Sequence, residues 1–167
     1  MKKFDKKTQI KIIKIILIIV WMGIVFGFSN QGGTKSSNTS RKVTVVVVQA
    51  ISDKTIEENE SVIEKAEKVV RKLAHYTIYT VGGFLIMNYA YTTNLKTKEK
   101  VLYSIAFGAG YAITDEMHQF FMPGRSARVF DVSIDTLGVI TGIAIYVVIR
   151  KNIERRKDKA VWFINWI

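Results

Sequence analysis

Four apolar runs, each bounded by charged or turn-forming residues, divide the chain: Ile12–Phe28, Leu73–Tyr91, Val101–Met122 and Val129–Ile149. Each reaches the roughly 17–25 residues that a helix needs to cross the hydrocarbon core of a bilayer. The pattern predicts an all-α membrane protein, one domain over residues 1–167, with four transmembrane helices. The first run is the shortest, and Lys14 near its start has to snorkel its ammonium to the interface. Lysines ahead of an apolar core also resemble a secretory signal. Phe28-Ser29-Asn30-Gln31 is a poor small-x-small cleavage site, however, so a retained helix is expected.

The segment 29–70 between the first two runs is expected to be external. Gly32-Gly33 followed by TKSSNTS predicts a turn region. Val43–Ile51 is too short to span and rich in β-branched residues, which points either to a strand or to a stretch lying on the bilayer surface. Ser52–Val70 reads as an amphipathic helix that can run on into the second span. Ser61-x-x-Glu64 resembles a capping box there, and Ile63, Ala66, Val70 and Leu73 recur at helical spacing. Pro123-Gly124 ends the third span in a tight turn. Gly82-Gly83, Gly108-x-Gly110 and Gly138-x-x-x-Gly142 are read as packing devices that let helices approach closely. Trp162, Phe163 and Trp166 form an expected interfacial anchor.

Charge adds an orientation. Met1–Lys14, Thr92–Lys100 and Arg150–Lys159 hold fifteen Lys/Arg against four Asp/Glu, while the rest of the chain holds ten of each sign. The whole net charge of +11 therefore falls on one side of the four-span arrangement. Basic residues in short flanks stay in the cytoplasm, which places both termini inside and makes the expected location the bacterial cell membrane. These lysines flank apolar spans, where anionic lipid headgroups account for them, and no nucleic-acid partner is expected. The chain has no cysteine, which removes disulfides, thiolate metal ligands and a thiol nucleophile.

The chemistry lies in the polar residues inside these runs. Asp115, Glu116, His118 and Gln119 interrupt the third, and Asp131 and Asp135 the fourth. Ionisable groups at membrane depth cost several kcal/mol and as a rule mark function. At 1.5 Å rise per residue, Asp115–Gln119 lies roughly 21–27 Å from the inner start of its span. Asp131 and Asp135 lie in the first turns of a helix that begins outside, Arg71, Lys72 and His75 open the second span there, and Ser29, Asn30 and Gln31 close the first. All four spans thus deliver their unusual residues to the outer end. Asp115 shares a helix face with His118 and Gln119, and Asp131 with Asp135, by the i+3 and i+4 rule. Two carboxylates stacked in a low dielectric need a cation, an arginine or a proton between them. Arg71, Arg125 and Arg128 are near enough in the topology to serve.

At these residues the sequence resembles the VanZ-like family of small polytopic membrane proteins. The resemblance rests on Phe28-Ser29-Asn30-Gln31, Arg71-Lys72-x-x-His75, Asp115-Glu116-x-His118-Gln119 with Pro123-Gly124-Arg125, and Asp131-x-x-x-Asp135-x-x-Gly138. Together these motifs reach into all four runs. The chain departs from the family at Ile78, where a glutamate is common. The resemblance implies a protein of the cell envelope, with teicoplanin-type antibiotic resistance in the name-giving case, and no established reaction.

Three functional readings follow from the residues. In an enzyme acting on a lipid-linked envelope substrate, His75 or His118 serves as general acid or base, because imidazole titrates near neutrality. Asp115, Glu116, Asp131 and Asp135 would orient it or hold a divalent cation such as zinc, manganese or magnesium. Arg71 and Arg125, with Gln119, Ser29 and Gln31, would grip an anionic headgroup. Glu116 is taken as the functional companion of His118. In the second reading the same groups only recognise a lipid-linked wall precursor or a lipophilic glycopeptide. In the third they gate transport, which the apolar inner halves of the spans disfavour.

Overall fold

The protein is described by a computed structural model covering residues 5–51, 56, 60–125 and 128–164, without the side chains of residues 34, 35, 51 and 157–164. Among these residues the chain is helical with no strand: α1 (Lys6–Ser29), α2 (Gly33–Ile51), α3 (Glu60–Ala90), α4 (Thr97–Phe120) and α5 (Val129–Ile164). Two of them, α1 and the Val129–Arg156 part of α5, are long and apolar enough to cross a membrane. The spans expected at Leu73–Tyr91 and Val101–Met122 lie along α3 and α4 except for Tyr91, Phe121 and Met122, and these two helices do not meet that measure of length and composition.

α1 buries a single stripe, Ile18, Trp21, Val25 and Ser29, and exposes apolar side chains around the rest of its surface. Trp21 fixes it to α3. Its indole N–H donates to the Ile78 carbonyl (2.9 Å), and its ring meets Tyr79 edge-on at 5.7 Å. The ring occupies the space that a Cβ at Gly82 would need. Lys14 does not reach for an open interface. It donates to the Asn88 carbonyl (2.8 Å), near the C-terminal end of α3, where a cation complements the helix dipole.

The segment after α1 departs from the sequence expectation. The turn is confined to Asn30–Gly32, because Gly33 opens a helix that continues through TKSSNTS, and Val43–Ile51 is helix and not strand. The β-branched run costs only tenths of a kcal/mol per residue as helix. Tertiary contacts outweigh that: Thr44 and Val48, four residues apart, are buried. Ser37 donates to Glu67, and Arg41 pairs with Glu60 at 2.7 Å, tying α2 to α3. α3 does run unbroken from the expected amphipathic segment through the second apolar run. Ser61 lies inside it, not at its cap, and residues 52–55 and 57–59 of the expected helix fall outside the described residues.

The most extensive helix pairing is α3 with α5, and glycines explain its closeness. A Cβ at Gly83 would strike the Val139 carbonyl, one at Gly142 the Thr80 carbonyl, and one at Gly138 the Tyr76 carbonyl. Gly108 on α4 receives the Val139 side chain, while Gly110 has open space and is no packing device. Tyr79, Ile86, Met87, Ala112, Val139 and Ile143 fill the centre of the bundle. The expected anchor at Trp162, Phe163 and Trp166 lies outside the described side chains.

Candidate functional site

Each inward stripe changes from apolar to polar at the same end of the bundle. On α4 the buried series Ser104, Gly108, Ala112 continues as Asp115, Glu116 and Gln119. On α5 Ile143 and Val139 lead to Asp135, on α1 Val25 leads to Ser29, and on α3 Tyr79 leads to His75. The helical periodicity that packs the core therefore also carries the polar groups inward, to a region where Asp135 is 0 % and Asp115 4 % exposed.

A network holds these groups in place. The Ser29 hydroxyl donates to one oxygen of Asp115, and the Gln119 amide donates to the other (3.0 Å) and to the Ser29 oxygen (3.2 Å). The Gln119 carbonyl in turn accepts from Arg125 (2.5 Å), whose second guanidinium nitrogen reaches the Phe28 carbonyl at 3.3 Å. Asp135 faces His75, with 3.5 Å from Nδ1 to a carboxylate oxygen, yet neither of its oxygens has a hydrogen-bond partner. One donor atom each from His75, Asp115 and Asp135 lies within 4.8 Å of the others, so among the described residues these three are the group that could hold a metal ion.

Above this floor opens a cavity of about 220 Å³, lined by Lys68, Arg71, Lys72, His75, Glu116, Gln119, Gly124, Arg125, Arg128, Asp131, Ile134 and Asp135. Five of the lining residues are lysine or arginine and three are carboxylates, so the lining favours an anion. Lys72 lies 3.8 Å from Asp131 and stands over the Phe130 ring. Glu116 accepts the backbone N–H of Arg128 (2.7 Å). The guanidinium groups of Arg71 and Arg128 have no ion-pair partner among the described residues. Burial, and then the neighbouring Arg71 charge, pull the Arg125 guanidinium below its ordinary value, while the Asp115 carboxylate opposes them. The expected Pro123-Gly124 turn shapes this rim: Gly124 has φ +73°, and the Pro123 carbonyl accepts the Gly33 N–H (2.9 Å). A Cβ at Gly33 would strike the Gly124 carbonyl, which is why α2 must begin on glycine there.

A second, more apolar cavity of about 160 Å³ lies between α1, α2 and α3. Gln31 and Ser29 line it together with Val25, Phe28, Ala74 and Ile78, and Arg71, His75 and Arg125 form the wall it shares with the first.

The structure therefore assembles ten of the eleven residues singled out from the sequence around these two cavities and their floor. His118 is the exception. Its ring stacks on Phe26 at 4.8 Å, outside both linings. At about 100° per residue, two positions along α4 turn His118 roughly 200° away from Glu116, so the two cannot act as companions. Lys68, Lys72 and Arg128 line the main cavity without having been named as binding residues. The signal for the lysines was present, because Lys68 and Lys72 are four residues apart and flank the Arg71–His75 face.

A family model described as VanZ/LLP1 covers residues 14–150. No curated protein and no solved structure matches the chain.

Proposed function

Because the chain belongs to the VanZ/LLP1 family of membrane proteins, we propose that it spans the bacterial cell membrane four times and binds, in its polar cavity, the phosphate-type headgroup of a lipid-linked envelope component. The observation that carries this reading is the pair of guanidinium groups, Arg71 and Arg128, that lack an ion-pair partner among the described residues, beside Arg125 in a cavity with more cationic than anionic lining residues. Arginine grips phosphate through two parallel hydrogen bonds, and its charge is retained even when partly buried.

Four spans are supported by where the apolar surface lies. Val81 on α3 and Leu102, Phe107, Ile113 and Met117 on α4 are exposed, as lipid contact requires. α4 is less apolar on average because Asp115, Glu116 and Gln119 lie on its inward face, and α3 because it carries His75 together with several tyrosines and threonines. The concentration of Lys/Arg beyond the opposite end of the bundle favours both termini in the cytoplasm and the cavity facing out. The adjoining apolar cavity, which shares Arg71 and Arg125, suits the first carbons of a lipid chain or of a lipophilic glycopeptide of teicoplanin type.

Turnover is the second reading, favoured by the contact of His75 with Asp135. A carboxylate that orients an imidazole is a common acid–base arrangement. A transport path is opposed by Tyr79, Val139, Met87 and Ile143, which are buried below the floor.

The test uses the purified chain in detergent micelles and a short-chain prenyl pyrophosphate, followed by calorimetry, with the matching prenyl alcohol as control. Saturable binding of the pyrophosphate and none of the alcohol is expected. Equal binding of both would sink the headgroup assignment. Single cysteines at Ser37 and Thr97, probed with a membrane-impermeant thiol reagent in intact cells, test the topology; labelling at 97 and not at 37 would reverse it.

A further inference from the structure

We infer that His75, Asp115 and Asp135 form a binding site for one divalent first-row cation, zinc or manganese, at the floor of the cavity. The three residues come from α3, α4 and α5, and one donor atom from each lies within 4.8 Å of the others. The site deepens the headgroup reading and rests on it for what the ion does, while the binding of the ion stands on the geometry of the floor.

The starting point is Asp135. Its carboxylate is 0 % exposed, and both oxygens lack a hydrogen-bond partner among the described residues. Buried charged groups in proteins are paired, or they coordinate a metal, because an isolated carboxylate in a low dielectric is strongly unfavourable. His75 stands 3.5 Å away but brings at most one positive charge, and Asp115 adds a second carboxylate at the same place. A dication bound to two carboxylates and a neutral imidazole closes the charge balance. Of the other nearby acids, Glu116 accepts the Arg128 amide, and Asp131 is partly exposed at the rim, 3.8 Å from the full positive charge of Lys72.

The surroundings fit a ligand set. Asp115 is oriented by the Ser29 hydroxyl and the Gln119 amide, one on each oxygen. Such outer contacts hold metal-binding carboxylates in place. Donor atoms around a tetrahedral zinc, at about 2.0–2.1 Å from the ion, lie about 3.4 Å from one another. The observed spacing therefore admits the ion, with the side chains drawing in by about an ångström. One nitrogen and two oxygen donors suit zinc or manganese better than magnesium, which prefers oxygen ligands. Three protein ligands leave a coordination position open. His75 and Asp135 also line the cavity, so that position opens toward Arg71 and Arg125, where a phosphate oxygen would complete the shell.

The full chain in detergent is stripped with EDTA, dialysed against zinc or manganese, and its metal content measured by mass spectrometry alongside its thermal unfolding. One equivalent per chain is expected, together with an X-ray absorption spectrum showing nitrogen and oxygen donors at the ion. Asp135→Asn and His75→Gln should each weaken binding about a hundredfold or more, and Ser29→Ala about tenfold, as for an outer-shell contact. Glu60→Gln, on the exposed Arg41 pair away from the cavity, should leave binding unchanged. Parent protein that unfolds cooperatively but retains no stoichiometric metal overturns the inference, as does a loss in Glu60→Gln equal to that in Asp135→Asn. Should the ligand variants not fold, the absorption spectrum of the parent decides alone: an ion surrounded only by oxygen refutes the site. Prenyl pyrophosphate binding measured in EDTA separates this result from the headgroup reading, since either can fail while the other holds.

Discussion

The floor and the rim of the cavity are both rich in charge, yet they are built differently. The floor groups sit on helix faces at the closest crossings of the bundle. Gly138 brings α5 against the Tyr76 carbonyl of α3 there, Gly83 and Gly142 continue that close contact deeper in the bundle, and Ser29 and Gln119 fix Asp115 from both sides. The rim groups are long side chains at helix ends and beside the Pro123-Gly124 turn, and two of its arginines have no ion-pair partner among the described residues. Short side chains on packed helices hold a geometry to within fractions of an ångström, as coordination or proton transfer requires. Long flexible ones on the rim adapt to a charged ligand whose exact shape matters less.

The comparison breaks first if the helix crossing can be spread without consequence. Gly83→Leu places a side chain against the Val139 carbonyl. It should destabilise the protein by about 3 kcal/mol or more, the upper range for overpacking. The thermal midpoint and the gel-filtration profile in detergent are the readouts, and an unchanged midpoint would show that the floor is not set by close helix contact.

At the rim, Arg125→Ala should leave the fold intact and weaken prenyl pyrophosphate binding by about 2–3 kcal/mol, the scale of a charge-assisted hydrogen-bond pair. Calorimetry on the folded variant checks this, and an affinity equal to the parent's would remove Arg125 from the binding groups.

Salt sharpens the same contrast. Raising ionic strength from about 0.1 to 1 M shortens the screening length from about 10 to 3 Å, so headgroup affinity at the open rim should fall several-fold. Retention of metal at the buried floor should not change. Parallel decline of both would mean that floor and rim are one solvated site.

His118→Gln should alter headgroup binding by less than about 0.5 kcal/mol, as substitutions away from a site generally do. Its ring packs on Phe26 outside the cavity. A large loss of binding in a stable variant would return His118 to the mechanism in place of His75.

The smallest effect is expected at Arg41–Glu60, which lies away from both regions. The Arg41 guanidinium holds the exposed Glu60 carboxyl below its usual range. A depressed carboxyl contributes stability above its unfolded value, and that contribution disappears as pH falls through the folded value. Arg41→Ala should therefore leave the thermal midpoint at pH 7 almost unmoved, since exposed pairs contribute little. Any difference from the parent should vanish at acid pH; one that grew there instead would contradict the assignment.

Much of this arrangement was legible along the chain. The apolar runs mark helical segments because a backbone in lipid has to satisfy its own hydrogen bonds. The depth of Ser29, Arg71, Asp115 and Asp135 along those runs follows from helical rise alone, and so does their convergence at one end. The family motifs fell on the same residues. Tertiary contact decided the rest. Val43–Ile51 became a helix because Thr44 and Val48 are buried on a helix that packs against α3, which local β-propensity does not register. Which histidine joins the carboxylates was set by rotation about the helix axes. His75 turns toward Asp135, while His118 is carried around α4 to Phe26. Sequence spacing gives relative angles on one helix, but only the packing of α3, α4 and α5 against one another fixes which of those angles points inward.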